Sequence, residues 1–233
     1  MVAQSQDNQS LHADVSVRPA VASDAQRIGT LHAAALTRYI AHAAPESVGV
    51  AQGEGMESQS IGAQWMYSIS YPPSQYHQIL AAYDHDRLVG FAAFGPPEGE
   101  DIGTDVRADT APSTASDTTV PAAEHTASTS GKNQGSPGQP ARAHNPTDTL
   151  ELIALEVDQN YWRQGHGSRL LNACADIAKE LGATRLQIWL HPADDQRLRF
   201  YSDAGFGPDV QRRAFSIGDT RLDEHLWFAL LDS

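Results

Sequence analysis

The chain has 233 residues, 40% of them hydrophobic, and a formal net charge of −13. That length suits one domain with room for a core, and the acidity excludes general nucleic-acid binding, because phosphates would be repelled without a basic patch. A lone cysteine, Cys174, leaves no internal disulfide; with no apolar leader and no bilayer-length apolar run, a cytoplasmic protein without membrane contact is expected.

In chain order, residues 1–14 read as a disordered lead, and residues 15–233 as a single domain. Val15-Ser16-Val17-Arg18-Pro19 alternates as a first strand. Ser23-Asp24 is placed to cap a helix whose apolar face is Ile28, Leu31, Ala35 and Tyr39. A loop with Pro45, Gly49, Gly53 and Gly55 precedes a second helix at Ile61–Ile69, which Tyr71-Pro72-Pro73 ends. Gln78–Tyr83 and Leu88–Phe94 then form a hairpin around Asp84-His85-Asp86-Arg87. Residues 98–148 are rich in Ser, Thr, Ala, Pro, Gly and Asp, with no aromatic between Asp101 and Asp148. Such a stretch buries too little apolar surface to offset its ordering entropy, so a disordered insertion between two strands is expected.

Order resumes with a strand at Leu150–Val157. A helix at Gly167–Leu181 follows, with a buried stripe of Leu170, Leu171, Cys174, Ile177, Ala178 and Leu181, and Gly182 as its C-terminal cap. Arg185–Leu190 is a strand and Asp194–Ala204 a shorter helix. Two strands near Arg212–Ile217 and Leu226–Leu231 close the chain through Gly218-Asp219. This order implies an α/β (α+β) fold: a mixed, mostly antiparallel sheet flanked by helices.

The most informative stretch is Arg163-Gln164-Gly165-His166-Gly167-Ser168, at a helix start just after an apolar strand. Two glycines there let a diphosphate approach backbone N–H groups, and the helix dipole adds positive charge. A phosphate-bearing cofactor follows. A Walker-type loop needs Gly-Lys-Ser/Thr, which is missing. A dinucleotide loop needs a third glycine and an acid on the next strand, and Leu186-Gln187-Ile188-Trp189-Leu190 has none.

The run Val157–Leu171 resembles the acetyl-CoA signature of the GNAT-superfamily N-acetyltransferases, Q/R-x-x-G-x-G/A opening a helix after a strand. Tyr201, Gly205 and Phe206 are similar to the Tyr and Gly-Phe that follow in that family. The Val-Arg-Pro-Ala strand and Leu88-Val89-Gly90-Phe91 add to the likeness. Trp162 departs from the usual Gln or Arg, and Asp194 from the usual Asn. The resemblance implies acetyl-CoA as co-substrate, with no metal. It implies that Leu155 and Val157 hold the pantetheine arm through their backbone. Arg163, Gln164, Gly165, His166, Gly167 and Ser168 would surround the diphosphate, and Asp194 would lie at the Asn contact. It also implies a homodimer through the C-terminal strands.

The implied reaction moves an acetyl group from a thioester to a primary amine of a small molecule, protein or peptide. An aliphatic ammonium has a pKa of about 10 and must lose a proton before attack, and a thiolate of pKa about 8.5 benefits from a proton donor. By resemblance Tyr201 is the general acid. Glu151 and Glu156 are the base candidates, with a water relay as the alternative. Strict alternation sends these two glutamates to opposite faces of their strand. Glu151 stands at the strand start, where histone-type members carry their catalytic glutamate. His191 with Asp194 and Asp195 matches no closed metal site. Cys174 reads as an inert core thiol, and Trp65 and Tyr67 read as acceptor-pocket or core residues. The competing reading is a non-catalytic acyl-CoA-binding module of the same fold.

Overall fold

The computed structural model describes residues 15–43, 58–97, 148–217 and 220–232. The lead, the loop read at 45–58 apart from Ser58, the Gly218-Asp219 turn and nearly all of the 98–148 insertion lie outside them. The strands are β1 (Val15–Pro19), β2 (Gln78–Asp84), β3 (Arg87–Gly95), β4 (Thr149–Val157), β5 (Arg185–Leu190), β6 (Gly207–Ile217) and β7 (Thr220–Leu230). The α-helices are α1 (Ala25–Ala43), α2 (Ser58–Ser70), α3 (His166–Glu180) and α4 (Asp195–Asp203). One seven-stranded sheet runs β1-β2-β3-β4-β5-β7-β6. Every neighbouring pair is antiparallel except β4 with β5. The mixed, mostly antiparallel sheet expected from the sequence is therefore the one observed.

Helices cover both faces because both faces are apolar. On one face, Leu170, Leu171, Cys174 and Ala178 of α3 and Tyr201 of α4 pack on Leu80, Val89, Leu150, Leu152 and Leu186. On the other, Ile28 and Leu31 of α1 meet Ala81, Phe91 and Ala154, with Trp65 and Ile69 of α2 beside them. Gly182 follows α3 with φ +90°, as a C-terminal cap requires.

The start of α1 differs from expectation. A 3₁₀ turn, Ala22–Asp24, precedes it, and Ser23-Asp24 does not cap it. Asp24 reaches back to the Val21 N–H at 2.9 Å, takes Arg18 at 2.9 Å and accepts from the Tyr83 hydroxyl at 2.5 Å. Those partners tie β1 and β2 to the turn. Burial pushes the Asp24 pKa up, but these hydrogen bonds and the Arg18 charge outweigh it and leave it lowered.

The geometry of β4 positions everything that follows. It pairs with β5 only from Thr149 opposite Arg185 to Leu152 opposite Ile188. Beyond that point the two strands part. The register with β3 also slips there: Ala93 faces Ala154, while Phe94 faces Leu152. Ile153 is the extra residue of a β-bulge, and it is 61% exposed. A bulge bends its strand and raises its twist, which carries the second half of β4 away from β5.

Helices α1 and α2 cross where Gly29 meets Gly62. A Cβ on Gly29 would lie 2.5 Å from the Gly62 nitrogen and 2.7 Å from the Ser58 carbonyl oxygen, backbone atoms that cannot turn aside. Gly29→Ala is expected to destabilise the protein by about 1–3 kcal/mol through overpacking, read as a lower urea midpoint with an unchanged m-value.

Candidate active site

A groove of about 580 Å³ opens where β4 leaves β5. Its floor is Leu155, Glu156 and Val157; its walls are Tyr161–Arg163, Gly165, Gly167 and Ser168 on one side and α4 on the other. The Asp158 N–H bonds Val89 on β3 at 2.8 Å. Backbone groups alternate along a strand, so those of Leu155 and Val157 face the open edge. The indole of Trp162 donates to the Val157 carbonyl at 2.8 Å, which leaves that residue its N–H for a ligand.

At the groove's end, Arg163 (φ +60°) and Gly165 (φ +83°) both adopt left-handed conformations. This winds the chain into a tight turn before α3. The first bond of the helix is donated by the Arg169 N–H to the Gly165 carbonyl at 3.1 Å. The N–H groups of His166, Gly167 and Ser168 thus have no acceptor within the helix, and with the dipole they form an anion cradle. A Cβ on Gly167 would meet the Phe200 ring at 3.4 Å and Leu155 at 3.9 Å, ordinary van der Waals contacts.

Of the residues expected around the cofactor, with those of the glycine turn acting mostly through backbone N–H groups, three turn their side chains elsewhere. His166 is 2% exposed, stacks edge-on against Tyr161 and points into the core, so only its backbone faces the turn. Gln164 extends to the Asn160 carbonyl at 3.1 Å. Asp194 caps α4 by accepting from Arg197 N–H at 3.0 Å, because a free helix N-terminus binds the nearest carboxylate. Leu155, Val157, Arg163, Gly165, Gly167 and Ser168 all line the groove.

A second cavity, about 450 Å³, lies on the α1 face of β4. Both Glu151 and Glu156 line it. Strict alternation placed them on opposite faces; the extra residue at Ile153 shifts the phase and brings them to one. Glu151 accepts from Gln187 Nε2 at 2.8 Å and Trp189 Nε1 at 3.1 Å, both on its Oε2. Its partners are neutral. Glu156 instead pairs with Arg197 and lies 3.9 Å from Arg38. Glu224 pairs with Arg213 at 2.7 Å and accepts from the Tyr39 hydroxyl at 3.2 Å. Glu151 is thus the one lining carboxylate without a cationic partner among the described residues.

Two histidines face the same cavity. Trp65 donates its indole N–H to His32 Nδ1 at 3.1 Å. An indole can only donate, so neutral His32 carries its proton on Nε2. Burial and then the Arg197 charge push the His32 pKa down. His77 is held by Ser74 at 2.9 Å from Nδ1, and burial lowers its pKa as well. Trp65 is therefore a core residue that orients His32, and Tyr67 is 67% exposed, turned towards Tyr71; neither lines the cavity.

Tyr201 borders the groove yet is only 1% exposed, packed between Phe200 and Phe206. Burial raises its pKa, and the nearby Arg197 charge opposes that rise. Cys174 is buried beneath it, its thiol pushed up to about 12 by burial, as an inert core residue would be.

Arg197, His32, Arg213 and Glu224 were not singled out from the sequence. No local pattern marks them, since each reaches the site from a separate element. Gln187 and Trp189 did carry a signal: two N–H donors spaced by two on an otherwise apolar strand share a face.

The model of the acetyltransferase (GNAT) family matches residues 44–206, more than half of the chain. The chain belongs to the GNAT acetyltransferase family. Among solved structures, the GNAT chain resembles ribosomal-protein-alanine N-acetyltransferase from Brucella melitensis, with TM-score 0.58 and 15% identity over 93% of this chain and 99% of that one. It also resembles PaiA N-acetyltransferase from Thermoplasma acidophilum in complex with coenzyme A, at TM-score 0.56 and 13% identity over 93% and 99%. A third is yncA from Salmonella typhimurium with acetyl-CoA, at TM-score 0.56 and 13% identity over 94% and 95%. At such identities the likeness is one of fold. No curated protein sequence matches the chain. Among the described residues, no helix of this GNAT protein is long and apolar enough to cross a membrane.

A histidine with a lowered folded pKa stays neutral while the unfolded chain takes up a proton. Stability then falls as pH drops below the unfolded value of about 6.5. His32→Gln is expected to flatten part of that loss, read from urea midpoints at successive pH values between neutrality and mild acid. His77, His166 and His225, also lowered, keep the remainder.

Proposed function

We propose that the chain is an acetyl-CoA-dependent N-acetyltransferase. In this reading one domain, residues 15–233, carries the activity, with residues 98–148 as an insertion between β3 and β4. The observation that carries it is the pair of cavities meeting across β4, one ending in the anion cradle before α3 and the other holding Glu151 without a cation. The diphosphate of acetyl-CoA rests on the N–H groups of Gly165–Ser168. The pantetheine arm runs along Leu155 and Val157, adding itself to the open edge of β4 as a partial strand. Arg163 supplies charge to the phosphates.

The acceptor is a primary amine in the second cavity, whose volume of about 450 Å³ suits a small molecule or a single protein side chain or terminus. Its ammonium finds in Glu151 an anion whose donors among the described residues are neutral. Glu151 takes the proton, directly or through a water, and the free amine attacks the thioester carbon in a ternary complex. Glu156 is the poorer base, because its oxygens are committed to Arg197 and Arg38. As the carbonyl reforms, the CoA thiolate leaves and takes a proton from Tyr201, and the proton that the acylated nitrogen sheds restores the Tyr201 phenol. Burial keeps the Tyr201 phenol protonated and so available as a donor, and the nearby Arg197 charge, which favours the phenolate, offsets part of the cost of giving that proton up.

The test is thiol release from acetyl-CoA across polyamines, aminoglycosides, amino acids and short peptides. At least one amine should support turnover, and both Glu151→Gln and Tyr201→Phe should lower kcat by about 100-fold or more while CoA still binds. Binding of acetyl-CoA with no thiol release across the whole panel would make the chain an acyl-CoA-binding module instead.

A further inference from the structure

Glu156 and Arg197 are the two side chains that border both cavities among the described residues. If CoA lies in one and the amine in the other, the reacting carbonyl sits at their shared wall. That wall is an ion pair, and it is tied down from three elements. Glu156 extends from β4 and faces Arg38 of α1 at 3.9 Å. Arg197 is held at its backbone by Asp194 at 3.0 Å, and the same carboxylate lies 3.6 Å from its Nε. We propose that this pair is an acyl-length stop. It admits an acetyl group and turns away longer acyl chains, so the chain selects acetyl-CoA over butyryl- and hexanoyl-CoA. The proposal rests on the reading of the groove as the CoA site.

Cavity size alone would not impose this limit. The two volumes, about 580 and 450 Å³, would together accommodate a six-carbon chain if they were continuous. In an open apolar channel each buried methylene would tighten binding by about fourfold. Here the third and later carbons would press against a guanidinium and a carboxylate. An apolar chain there strips water from both charges and offers no hydrogen bond in return. Swinging the pair aside would separate Arg197 from two carboxylates at once.

Calorimetry on the full chain with CoA, acetyl-CoA and hexanoyl-CoA tests this without turnover. The unmodified protein should bind hexanoyl-CoA at least about tenfold more weakly than acetyl-CoA. In Arg197→Ala that ratio should fall to about unity or invert. The double variant Glu156→Gln with Arg197→Met removes both charges of the pair together, so neither is left facing an empty place, and it should give the same result even where the single variant folds poorly. Taking the ratio divides out changes in how the CoA body binds, which free CoA reports. Equal affinity for the two thioesters in the unmodified chain, or an unchanged ratio in a variant that still binds CoA, overturns the stop alone. Absence of heat with CoA itself overturns the groove reading and the stop together.

Discussion

The parting of β4 from β5 after Leu152 and Ile188 is the constraint on which the site depends. Two parallel strands that stayed paired would bury the backbone of Leu155 and Val157 in a ladder. The bulge at Ile153 prevents it. It exposes a strand edge in the middle of the sheet, where an edge has no neighbouring chain to aggregate with. The turn before α3 then closes the end of the resulting groove with unpaired N–H groups. An open edge and a positive helix end lie in line, which is the geometry a pantetheine diphosphate would need.

The same bulge reorganises charge. By shifting the phase of β4 it puts Glu151 and Glu156 over one cavity, and their different partners give them different roles. Glu156 is bound into an arginine network that links β4, α1 and α4. That pair is shielded only in part, with side-chain exposures of 31% and 12%. Its worth lies between the less than about 1 kcal/mol of an exposed pair and the about 3–5 kcal/mol lost on breaking a buried one. Among the described residues Glu151 receives only the amide of Gln187 and the indole of Trp189. Exposed carboxylates such as Asp176, Glu180 and Asp203 meet water freely. A carboxylate 9% exposed and without a cation is a different object, because burial makes its demand for a positive partner specific.

The helices serve the site as well as the core. Helix α1 contributes His32, Arg38 and Tyr39 from one side, about two turns in all, while its Ile28 and Leu31 anchor it to the sheet. The Trp65 indole fixes the His32 tautomer, so α2 acts on the cavity without reaching it. The close crossing at Gly29 and Gly62 sets how far α2 can approach. Packing between two helices thereby governs which nitrogen of a histidine carries a proton.

Much of this was readable from residues near one another in the chain. The limits of β5, the apolar stripe of α3, the cap at Gly182 and the glycine turn at Gly165 rest on local propensity and periodicity, which short windows of sequence carry. The alternation rule failed at Ile153, since a bulge arises from how β4 must register against β3 and depart from β5. The side chains of His166 and Asp194 show a related limit. Each had a nearer claim on its side chain, the core for one and the α4 amides for the other. Arg197, His32 and Glu224 lie far apart along the chain and converge only through packing. Local chemistry decided what each segment would become; long-range contacts decided which charges would meet, because electrostatic partnership depends on distance in space and a linear pattern does not encode it.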